Sequence, residues 1–150
     1  SWWRDRWRVM SAALAIALTM SAGPVAAFQE PAWGTPLRRA LMDAVRPIIE
    51  RDLGAPVRFV VRELRVEGDR GFGWLEPQRP GGRPILFEDT PLAGLIQNSD
   101  TIDGTTVHAF YRRENGAWVV YEWSIGATDV WWSSADTCAE FAAVIPEYCS

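Results

Sequence analysis

The chain has 150 residues, 15 basic and 19 acidic, with a formal net charge of −4 and 48% hydrophobic residues. That is one domain's worth of core, and its acidic balance gives no reason to expect a nucleic acid or an anionic membrane surface as partner. All basic residues are arginine, which removes lysine Schiff-base chemistry; one histidine and two cysteines argue against a zinc site built from several such ligands, and neither metal nor cofactor is expected.

The first 27 residues follow the plan of a secretory signal peptide. Arg4, Arg6 and Arg8 are basic, Ala12 to Ala17 is uninterruptedly apolar, and Val25, Ala26 and Ala27 supply small residues before Phe28. The competing reading is an uncleaved anchor, but Ser11, Thr19, Ser21, Gly23 and Pro24 dilute the apolar stretch. Cleavage before Phe28 takes away three arginines and Asp5, leaving 12 basic against 18 acidic residues and no stable membrane anchor. The expected location is periplasmic or secreted, an oxidising setting.

Residues 28–34 read as a flexible leader, and 35–150 as a single α+β domain. Thr35-Pro36 is a helix start, with threonine as cap and proline in the first turn. Leu37, Leu41, Ala44, Val45, Ile48 and Ile49 then recur on one face, Gly54 closes the pattern, and Pro47 predicts a kink. Val57 to Val66 alternates with a phase shift at Arg62-Glu63, which predicts a bulged strand. Phe72 to Pro77 and Pro84 to Phe87 read as further strands, the last at an edge because of its prolines. Thr90-Pro91 begins a long connection with one short helix or flap. Within it, Asn98 to Gly104 imitates a calcium loop but puts Phe110 where a bidentate acid is required.

Thr105 to Arg113 and Ala117 to Ile125 form a hairpin around Asn115-Gly116. A two-residue turn would put Trp123 opposite His108; a three-residue bulged loop puts Glu122 there and sorts the apolar residues better. The bulged loop is therefore expected. It creates a His108/Glu122 pair near Arg112, Trp118 and Trp74, either an acid/base pair or an ordinary cross-strand polar contact. Trp74, Arg112 and Trp118 on that face, or Trp131 and Trp132 at a corner, are the candidate ligand-binding residues, since flat indoles suit sugar rings or apolar groups. Cys138 and Cys149 are expected to pair once the chain is exported. A continuous helix would hold their Cα atoms about 16 Å apart, so the chain has to reverse between them near Pro146.

The run from Leu41 to Gly68 and the segment Glu122 to Trp131, with its Gly-x-Thr-Asp corner at Gly126, resemble a family of small exported proteobacterial proteins of unknown function. The resemblance implies a helix packed on a twisted antiparallel sheet of four to five strands, cystatin-like or NTF2-like in outline, and supplies no catalytic residues. The expected function is a non-catalytic envelope binding or interaction module, its partner an envelope protein or a small ligand. The alternative is a small envelope hydrolase or isomerase with His108 as acid/base and Glu122 as its orienting partner.

Overall fold

The computed structural model describes residues 15–19, 28–96 and 102–150. Apart from 15–19, which carry no helix or strand, the signal-peptide segment lies outside them, as do 97–101 of the Asn98 to Gly104 loop. No helix among the described residues is long and apolar enough to cross a membrane.

The fold is α+β. Helix α1 (Pro36–Leu53) lies across a four-stranded antiparallel sheet of β1 (Arg58–Glu67), β2 (Arg70–Gln78), β3 (Ile102–Glu114) and β4 (Ala117–Ala127), in that spatial order. Thr35 caps α1 by accepting the Arg38 amide, and Pro47 interrupts its hydrogen-bond ladder without ending it. At the other end Arg79 donates to the carbonyls of Leu53, Gly54 and Pro56, capping the helix from the end of β2.

Core forms on both faces of the sheet. Under α1, Leu41, Val45, Ile49 and Leu53 pack on Leu64, Val66, Leu75, Val107, Ala109 and Tyr111. Gly71 and Gly73 of β2 leave room for the fully buried Tyr111 ring; a Cβ at Gly71 would come within 3.3 Å of the tyrosine Cβ. On the opposite face Phe72 and Phe110 pack with Trp132, Phe141, Val144 and Ile145. Those last four come from the C-terminal segment, which contains helix α2 (Ala135–Phe141). The segment reverses and closes through the Cys138–Cys149 disulfide, with Cα atoms 5.5 Å apart.

The β1 bulge falls between Val61 and Glu63, where the alternation shifts phase. Three expectations differ. Pro84 to Phe87 does not join the sheet: Ile85 is buried, but the chain enters a 3-10 turn at Phe87–Asp89. The leader is held to the sheet: Gln29 exchanges two backbone hydrogen bonds with Val66, and the Phe28 ring lies 4.6 Å from the Arg65 guanidinium. Arg65 in turn binds Glu63, Glu147 and the Val144 carbonyl, tying β1 to the C-terminus.

The third difference is the hairpin. Its turn has two residues, Asn115 and Gly116, both at positive φ, and pairs Glu114 with Ala117. A bulge at Tyr121 then shifts the register the other way, so Phe110 faces Glu122 and His108 faces Ser124. The expected His108/Glu122 cross-strand pair is not formed. The two-residue turn puts Trp118 and Val120 on the α1 face, and the bulge keeps Trp123 and Ile125 there with them while bringing Tyr121 round to the C-terminal face.

Candidate functional site

His108 sits in the second core. It is 7% exposed and stacks on Trp132 at 4.1 Å between ring centroids, with Trp74 at 5.5 Å and Phe72 at 6.4 Å. The placement follows from strand alternation, because Phe72, Trp74 and Glu76 share one face of β2, and Trp74 pairs directly with His108. Burial lowers the histidine pKa from 6.5 to about 4, opposed by the Glu76 carboxylate, so the ring is neutral at pH 7. Its Nδ1 and the Nε1 atoms of Trp74 and Trp132 have no hydrogen-bond partner among the described residues, where this cluster is held by ring packing. Glu76 accepts from the Thr106 hydroxyl at 2.9 and 3.0 Å.

The other residues singled out in the sequence scatter. Glu122 is exposed, opposite Phe110. Arg112 is committed to structure: its guanidinium binds both oxygens of Glu140 and lies 3.4 Å from the Tyr121 ring centroid, while Arg70 contacts the same carboxylate at 2.8 Å. The Arg112 hydrogen bonds hold the Glu140 carboxyl below its ordinary pKa. Trp118 is on the opposite side of the sheet, and Trp132 is core. Trp131, half-buried, donates from Nε1 to the Ser124 hydroxyl at 2.8 Å and packs edge-on against Phe110 and Trp132. Trp74, His108, Trp131 and Trp132 thus come together, without Glu122, Arg112 or Trp118.

A different surface carries accessible recognition groups. At the start of α1 a groove of about 290 Å³ is lined by Trp33, Gly34, Thr35, Arg38, Arg39, Met42, Asp43 and Arg46. Trp33 is 86% exposed. It belongs to a closed turn, since the amide and hydroxyl of Thr35 both donate to the Ala32 carbonyl, at 3.2 and 2.7 Å. Residues 35, 38, 39, 42 and 46 share a helix face by their spacing, which aligns the arginines along the groove over an apolar floor at Met42. Sequence reasoning missed this site because a Pro- and Gly-containing leader suggests a loose tail. The available signal was Trp33 next to a strong helix cap and an Arg38-Arg39 pair. Among the described residues no cluster of three or more His, Cys, Asp or Glu side chains is placed to hold a metal.

No family model, curated protein or solved structure matches the chain.

Proposed function

We propose that the chain is a non-catalytic binding module of the cell envelope, exported by residues 1–27 and active in the periplasm or outside the cell, with the α1 groove as its ligand surface. The observation that carries this reading is Trp33, a large apolar ring left 86% exposed on a closed turn beside three guanidinium groups. An indole in that setting has a face free for stacking and charged donors next to it. The Cys138–Cys149 disulfide supports an oxidising location. The hydrolase or isomerase alternative draws no support from the register, which places Ser124 rather than Glu122 opposite His108.

The test has two parts. Cell fractionation should find the oxidised protein, beginning at Phe28, outside the cytoplasm. Envelope extract passed over immobilised wild type and Trp33→Ala should leave a component on the first and not on the second. Cytoplasmic recovery would refute the location, and equal retention by both proteins would refute the surface.

A further inference from the structure

The α1 groove combines a flat apolar face with an excess of positive charge in a chain that is acidic overall. Of its four charged side chains, Asp43 and Arg46 pair with one another at 3.0 Å. Arg38 donates to the Pro31 carbonyl at 3.5 Å, a long bond that leaves most of its donors available. Arg39, which is exposed, makes no ion pair among the described residues. The first turn of α1 contains no acidic residue to offset the positive end of the helix dipole, although Pro36 has no N–H and the Arg38 and Arg39 amides are already bonded to Thr35, so the anion has to be held by the guanidinium groups.

Size narrows the ligand further. A groove of about 290 Å³ is at the low end of small-molecule sites, enough for one or two rings. A peptide that adds a strand needs a sheet edge, whereas this groove runs along a helix face; an acidic peptide held by the arginines alone is the competitor that triglutamate tests. A pyranose bearing an acidic group meets both halves of the site: its C–H face covers the indole, and its anion takes paired hydrogen bonds from a guanidinium.

We propose that the groove binds an acidic sugar, a uronate or a sugar phosphate, with Trp33 stacking on the ring and Arg38 and Arg39 holding the anion. This rests on the α1 groove being the ligand surface. Uronate and phosphate share the recognition chemistry, and separate probes distinguish them.

The experiment is calorimetric titration of the oxidised protein with digalacturonate and its methyl ester, and with glucose 6-phosphate and glucose. One acidic probe should bind, and its neutral counterpart should bind at least about ten-fold more weakly. Trp33→Ala and Arg39→Gln should each weaken binding about ten-fold, equivalent to about 1.4 kcal/mol. Both residues are exposed, so far-ultraviolet circular dichroism and urea midpoints should be unchanged and folding should not confound the loss. The proposal is overturned if neither acidic probe binds, if the neutral counterparts bind equally, if the variants bind like wild type, or if triglutamate binds as tightly. Should Trp33→Ala abolish capture of an envelope component while both acidic sugars fail, the sugar assignment falls and the binding surface stands. Unchanged capture by Trp33→Ala removes the surface itself.

Discussion

Acidification provides a direct test of the second core, because the chain has a single histidine and it is buried there. The folded protein holds His108 neutral down to about pH 4, whereas the unfolded chain takes up the proton near pH 6.5. The stabilising contribution of the neutral ring is therefore complete above pH 6.5 and is lost as pH falls towards 4. From pH 7 to pH 5 the linkage amounts to at most about 2 kcal/mol, and solvent reaching the ring edge screens it towards about 1 kcal/mol. Glu140 does not enter this window, since Arg112 holds its carboxyl below the usual range. Urea unfolding followed by tryptophan fluorescence at pH 7, 6 and 5 reads the effect, with His108→Phe as the comparison because phenylalanine keeps the stack on Trp132. Wild type should lose midpoint progressively while His108→Phe stays nearly flat. A wild-type midpoint that does not move over this range, or an equal slope in His108→Phe, would refute the buried neutral imidazole.

Replacing both Cys138 and Cys149 with serine should cost about 3 kcal/mol by loop-closure entropy, read as a lower urea midpoint; a midpoint equal to that of the oxidised wild type would contradict the clamp. At Gly126, with φ 65°, a Cβ would fall 2.5 Å from the Gly104 carbonyl oxygen and 2.6 Å from the Ile102 Cγ2. Gly126→Ala should therefore cost about 3 kcal/mol from backbone strain and overlap, and a change below about 0.5 kcal/mol would show that the close approach is not kept in solution. Arg79→Met removes the donors that cap the α1 C-terminus and should destabilise by about 2 kcal/mol; unchanged thermal unfolding would refute the cap.

How far the sequence was legible depends on how many partners each residue has. The start of α1, the β1 bulge and the disulfide rest on local chemistry: Thr35-Pro36, the phase shift at Arg62-Glu63, and two cysteines that a short reversal can join. The hairpin register escapes the criterion of gathering apolar residues on one face. That criterion assumes one buried face, and here α1 covers one side while the C-terminal segment covers the other. Trp118, Val120 and Tyr121 are apolar in either phase, so alternation does not mark the extra residue at Tyr121. The same double coverage turns His108 from a half-exposed base into a core ring, since Trp132 arrives from 24 positions further along the chain. Exposure of Trp33 is likewise a tertiary property. Nothing in Pro31 to Thr35 shows that the leader is pinned through Gln29 to Val66 and leaves the indole outside both cores. Trp74, Trp118, Trp131 and Trp132, which alternation marks as ligand candidates, are used by the fold for packing, and among the described residues it is Trp33 of the leader that faces solvent.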